Sequence, residues 1–302
     1  MSARSTLLGL VVTAALAGCS ADEPAAEPRD DPTTERPSAT AVVRAGDEYV
    51  ALGDSYTAAP GIGESDGRDG CVRSRNNYPH LVAEQLDLEL TDVSCGGAST
   101  TSLTGSQRTL TGEEVDPQFD ALGPATDLVT IRIGGNDFAL YQLISRICPA
   151  LAARDPEGHP CRDEADKAEQ DLDDLLDELE DRVVSAVRTV VRMAPDATVL
   201  VVGYPSVVPE DGTCSELPLA DGDYPFALQV NRGLNAALKT AARSADVRYV
   251  DLYEATRGHD ICGEDPWVAG RTTIGGKGVA WHPFASEQKA TAAAIVAALQ
   301  GP

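Results

Sequence analysis

Apolar runs broken by small and polar residues divide the chain into alternating strands and helices. Tyr49-Val50-Ala51-Leu52 is a short apolar run that ends in Gly53-Asp54-Ser55. It predicts a buried strand feeding a turn that opens a helix. Glu89–Val93 and Leu128–Ile133 predict a second and a third strand, and Thr198–Tyr204 and Val247–Leu252 a fourth and a fifth. The run at Thr198–Tyr204 is continuously apolar, as in a strand covered on both faces. Tyr78–Leu86, Phe226–Ala242 and Ala285–Leu299 read as helices. Asp163–Met193 reads as one long helix, because Leu172, Leu176, Leu179, Val183, Val187 and Val190 recur at helical spacing with acidic residues between them. Five such strands alternating with helices predict an α/β fold, a three-layer α/β/α sandwich with one parallel sheet at its centre.

The strand ends share a chemistry. Gly53-Asp54-Ser55-Tyr56 closes the first, Cys95-Gly96-Gly97-Ala98 follows the second, and Gly134-Gly135-Asn136-Asp137 closes the third. Open parallel sheets bind ligands at this edge. A helix N-terminus there favours developing negative charge. A serine at such a junction is a candidate nucleophile.

The first residues alter the picture of where the protein works. Arg4 precedes a short apolar stretch, and Leu16-Ala17-Gly18-Cys19 ends it. The stretch is shorter than the ~20 residues of a membrane span. Residues 1–19 are read as a signal peptide whose end resembles a bacterial lipobox, with Cys19 the residue to be lipidated; a plain secretory signal is the other reading. Residues 20–46 are rich in Pro, Ala, Asp, Glu and Thr and read as a disordered tether. Residues 47–302 form the expected folded domain.

Charge and cysteines exclude several classes. A net charge of −24 speaks against a nucleic-acid partner, which needs clustered cations. Beyond Cys19 there are six cysteines, Cys71, Cys95, Cys148, Cys161, Cys214 and Cys262. An even count in an exported chain points to three disulfides, and six cysteines allow ~15 pairings. No Cys-x-x-Cys pair is present and the four histidines are scattered, so neither a metal nor an organic cofactor is expected.

With Trp281-His282-Pro283, the three strand-end motifs make a series of four, in order, that resembles the GDSL or SGNH hydrolases. The resemblance runs from Tyr49 to the C-terminus and is strongest to secreted actinobacterial esterases and lipases with six cysteines. It implies a flavodoxin-like sheet. It implies Ser55 as nucleophile and His282 as its base, since a serine hydroxyl attacks poorly until its proton is removed. It implies an oxyanion hole from the Ser55 N–H, the Gly97 N–H and the Asn136 side chain; one such donor is worth ~3 kcal/mol. The family's usual aspartate, three residues before the histidine, is Val279 here. The Val279 carbonyl is therefore the expected partner of the histidine ring, with a carboxylate from Asp260 or Glu264 as the alternative. The resemblance further implies the pairs Cys71–Cys95, Cys148–Cys161 and Cys214–Cys262, and Trp267 is a candidate pocket wall.

The expected activity is that of a serine esterase or lipase, with phospholipase and polysaccharide acetyl esterase as neighbouring readings. A non-catalytic envelope-binding lipoprotein is the reading from another class. The expected partners are an ester or lipid substrate and, through Cys19, a membrane, for a monomer on the outer face of the cell membrane or secreted.

Overall fold

The computed structural model describes residues 42–65, 69–168 and 171–301. The signal peptide, Cys19 and all but the last residues of the tether lie outside them. Within residues 42–46 the chain already touches the folded body. Val43 packs on the core, and the Gly46 N–H donates to the Asp87 carbonyl at 2.7 Å.

The sheet has five strands, Glu48–Gly53 (β1), Glu89–Asp92 (β2), Leu128–Arg132 (β3), Thr198–Val202 (β4) and Arg248–Val250 (β5). They lie in the order β2-β1-β3-β4-β5 and all pair in parallel. Tyr49 sits beside both Leu90 and Leu128, and Leu128 beside Thr198. This is the flavodoxin-like order, whose switch point falls between β1 and β3.

Side chains alternate across each strand, and both faces are covered. Tyr49, Ala51, Leu128 and Leu200 meet Tyr78–Leu86 (α1) and Ala285–Gln300 (α2) through Val82 and Ile295. Val50, Leu52, Val129, Ile131 and Val201 meet Leu172–Met193 (α3) and Tyr224–Ser244 (α4) through Leu179, Val183, Val187, Val230 and Leu234. Each such buried aliphatic side chain contributes about 1.5–3 kcal/mol of transfer free energy. All five predicted strands and the α/β/α layering are present.

The long acidic helix is two helices. Pro160–Lys167 is separate from α3, which starts at Asp171: that residue is extended at φ −71° and ψ 122°, and its carboxylate accepts the Asp173 N–H at 2.9 Å. An N-cap supplied by an aspartate in an acidic run stops one helix and opens the next. Asp223 caps the shorter helix, taking the Cys161 and Arg162 N–H groups at 2.9 and 3.0 Å.

Three disulfides join Cys71 to Cys95, Cys148 to Cys161 and Cys214 to Cys262. Each ties loops at or beside the C-terminal edge of the sheet. Such links typically add about 2–4 kcal/mol and persist in oxidising compartments.

Candidate active site

Four turns deliver the four motif residues to one cleft. A cavity of about 360 Å³ is lined by Ser55, Gly97, Asn136 and His282, with Trp281 and Tyr141 among its walls.

Ser55 begins a single helical turn, Ser55–Ala58. Asp54 caps it, accepting the Tyr56 N–H at 2.8 Å. A first-turn N–H such as that of Ser55 has no partner within its helix. Gly53 beneath it must be glycine, because a Cβ there would come within 2.2 Å of Thr57 Oγ1 and 2.8 Å of the Arg132 carbonyl.

Asp54 is wholly buried. Burial pushes its carboxyl up to about 6, against the opposing pull of the Tyr204 hydroxyl that donates to it. Tyr204 in turn accepts the Gly135 N–H at 3.0 Å. A relay of three hydrogen bonds therefore locks the serine turn to the turn that carries Asn136. Tyr204 was not among the residues singled out from the sequence. Its only signal there is its place at the end of the fourth apolar run.

Gly97 has φ +79°, and a Cβ there would meet only Gln107 Nε2 at an ordinary 3.9 Å, so its requirement is conformational. Its N–H donates to no protein acceptor among the described residues. The Gly96 carbonyl, in the same peptide unit, accepts from Gln107 Nε2 at 2.9 Å. Fixing that carbonyl fixes the N–H, which points the opposite way across a trans peptide. The Cys71–Cys95 disulfide and a Gly96 N–H bond to the Cys71 carbonyl hold the same turn from the other side.

Asn136 Nδ2 donates to the Ala98 carbonyl at 2.9 Å. An amide has two such protons, so one orients the group and one is left. Asn136 stands at a helix N-cap but its side chain makes no capping bond. Asp137 does not cap either: its carboxylate accepts the Thr100 N–H at 2.9 Å and the Thr100 hydroxyl. Phe138 and Ala139 follow at φ 51° and 58°. Two successive non-glycine residues in the left-handed region cost roughly 1–3 kcal/mol each, held in part by the Asp137 bonds.

His282 approaches from the C-terminal loop. Its Nδ1 lies 2.8 Å from the Ala280 carbonyl. The expected Val279 carbonyl instead accepts the backbone N–H of His282 at 3.1 Å. The shift by one residue follows from Trp281, whose φ of 67° turns the chain so that the ring folds back on residue 280. No carboxylate hydrogen-bonds to His282 among the described residues, and Asp260 is spent on the Cys262 N–H at 2.9 Å. Burial holds the His282 pKa below its usual 6.5, against the opposing hydrogen bond to Ala280.

Tyr56 ties the two ends of the site together. Its hydroxyl donates to the Trp281 carbonyl at 3.0 Å, and its ring stacks on Tyr141 with centroids 4.9 Å apart. Behind it, the wholly buried Arg132 donates to the Tyr56 carbonyl at 3.2 Å and to Glu287 at 3.0 Å. Trp267, expected as a pocket wall, stacks on His259 with centroids 3.8 Å apart; the tryptophan in the cleft is Trp281.

The cleft thus brings a serine at the sheet's switch point together with a histidine of the C-terminal loop, the arrangement expected of a carboxylic ester hydrolase. Comparison with known proteins narrows that class. Residues 51–286 match the GDSL-like Lipase/Acylhydrolase family, and the chain belongs to it. It is 38% identical to Lipase 2 of Streptomyces coelicolor over 71% of this chain and 72% of that one. It is 32% identical to an esterase of Streptomyces scabiei over 73% of this chain and 74% of that one. Among solved structures, phospholipase A1 from Streptomyces albidoflavus superposes with a TM-score of 0.69 at 28% identity, covering 84% of this chain and 99% of that one. The extracellular lipase of Streptomyces rimosus superposes with a TM-score of 0.68 at 26% identity, covering 84% of this chain and 100% of that one.

Proposed function

We propose that the chain is a serine esterase or lipase that works through a Ser55–His282 dyad. The observation that carries this reading is that one cleft collects Ser55, Gly97, Asn136 and His282 from four separate turns.

A carbonyl only accepts, so the His282 nitrogen facing Ala280 is the protonated one, and Nε2 keeps its lone pair. Nε2 takes the Ser55 proton as Oγ adds to the ester carbonyl. The oxyanion is met by the Ser55 and Gly97 N–H groups and the free Asn136 proton. The C–O bond to the alcohol then breaks, and Nε2 returns the proton to the leaving oxygen. Water repeats the sequence on the acyl-enzyme and releases the acid. A backbone carbonyl fixes the tautomer but stabilises the imidazolium less than a carboxylate would. The lowered His282 pKa fits a base that is neutral at physiological pH.

The sign of the pH dependence follows. The active form is the unprotonated imidazole, so kcat/KM for p-nitrophenyl butyrate should rise with pH through an acid limb centred below 6.5 and then level off. The limb should move with temperature as imidazole ionisation does. A limb that stays put on heating would mark a carboxylate base and remove His282 from this role, and absence of ester hydrolysis would end the esterase reading.

The substrate proposed is an acyl ester of a lipid. Tyr141, Ile144, Val207 and Trp281 give the cleft apolar walls for an acyl chain, and the Streptomyces relatives are described as lipases and a phospholipase. We further propose that Cys19 carries a lipid anchor and that the segment after it tethers a monomeric domain to the cell surface. Full-length protein should partition with membranes and Cys19→Ala protein should appear in the medium; equal partitioning of the two would refute the anchor.

A further inference from the structure

We propose that Arg146 selects esters whose alcohol part carries an anionic phosphate, which makes the enzyme's preferred substrate a phosphoglyceride rather than a neutral glyceride. The proposal rests on the esterase reading above.

The chain has 48 acidic residues against 24 basic ones. Its net field repels anions at long range. The cleft departs from that balance: no acidic side chain lines it, and the one charged group in its wall is Arg146. Arg146 is exposed and makes no ion pair or hydrogen bond to protein among the described residues. Its guanidinium is therefore free to meet a ligand. A planar fork of N–H donors suits phosphate oxygens in a bidentate way.

The backbone explains how the side chain gets there. Leu143–Ile147 is a π-turn, in which the Cys148 N–H reaches back to the Leu143 carbonyl. Side chains on a regular α-helix diverge by about 100° per residue. Here Tyr141, Gln142, Ile144, Ser145 and Arg146 all line the same cleft. Tyr141, Gln142, Ser145 and Arg146 share one face by helical spacing, the π-turn lies within that wall, and such turns recur at functional sites. The Cys148–Cys161 disulfide pins the segment directly after it. Apolar Ile144 and charged Arg146 thus stand on one wall, as an acyl chain and a charged headgroup on one molecule require.

The test compares two monomeric substrates that differ only in the headgroup, dihexanoylphosphatidylglycerol and dihexanoylglycerol. The readout is the ratio of their kcat/KM values for each protein. Arg146→Gln should lower the phospho-to-neutral ratio about tenfold, the size of one charge-assisted hydrogen bond at a partly exposed site. Arg146→Glu should lower it further and Arg146→Lys should restore part of it. The effect should sit in KM and should shrink at high salt. An unchanged ratio across all three variants overturns the proposal. So does a ratio that holds while inorganic phosphate inhibits the wild-type enzyme in an Arg146-dependent way, because the arginine would then be a site for free phosphate. Wild-type protein that hydrolyses neither substrate nor a nitrophenyl ester would instead overturn the esterase reading.

Discussion

Ser55→Ala protein should hydrolyse p-nitrophenyl butyrate at least about 10⁴-fold more slowly than wild type, with the loss in kcat. On the proposed mechanism the substitution removes the atom that forms the acyl bond, while the Asp54 cap, the Tyr204 relay and the proposed oxyanion donors stay in place. The residual rate should be that of a site that still binds and polarises the ester. His282→Ala should cost a similar amount, and the double variant little more than either, because a nucleophile and its base act as a unit. Kinetics with burst titration on folded variants would check this. A Ser55→Ala rate within tenfold of wild type would remove the acyl-enzyme.

Arg132→Met should destabilise the fold by about 3–5 kcal/mol, the usual cost of leaving one member of a buried ion pair alone. Glu287 is wholly buried and would keep only neutral donors, Thr291 Oγ1 at 2.9 Å and Gln288 Nε2 at 2.6 Å. The double variant Arg132→Met/Glu287→Leu should recover much of the loss, since two apolar residues of similar volume no longer strand a charge. Full recovery is not expected, because Arg132 also donates to Thr291 and to the Tyr56 carbonyl and lies 5.1 Å from the Tyr78 ring centroid. Urea unfolding at pH 7 would read both variants. A single variant within about 1 kcal/mol of wild type, the worth of one surface ion pair, would mean the pair carries little. Activity should fall as well, because the Tyr56 carbonyl belongs to the turn that begins with Ser55.

Much of this was readable from residues alone. The first and third strands announce themselves as apolar runs closed by glycine-containing turns, the second by the glycine-containing turn that follows it, and those same turns carry Ser55, Asn136 and Gly97. What escaped notice acts at long range. Arg132 inside an apolar run signals a buried charge needing a partner, but nothing local points to Glu287, 155 positions on. The Tyr204–Asp54 contact spans 150 positions and leaves no periodic trace. The break at Asp171 was hidden because the acidic residues that made one long solvated face plausible also include the residue that caps the second helix. The choice between the Val279 and Ala280 carbonyls turned on one backbone angle, at Trp281, which side-chain patterning does not record.

The hydrogen bond between Tyr56 and the Trp281 carbonyl joins groups 225 positions apart, and on the assignment above the serine and its base are separated slightly more widely. On that assignment, a chain made N-terminus first carries its nucleophile for most of its synthesis without a histidine to activate it. The last loop and helix supply His282, the Glu287 partner of Arg132 and the Trp281 carbonyl that Tyr56 holds. On the proposed dyad, ester hydrolysis in this way waits until the end of the chain has been made.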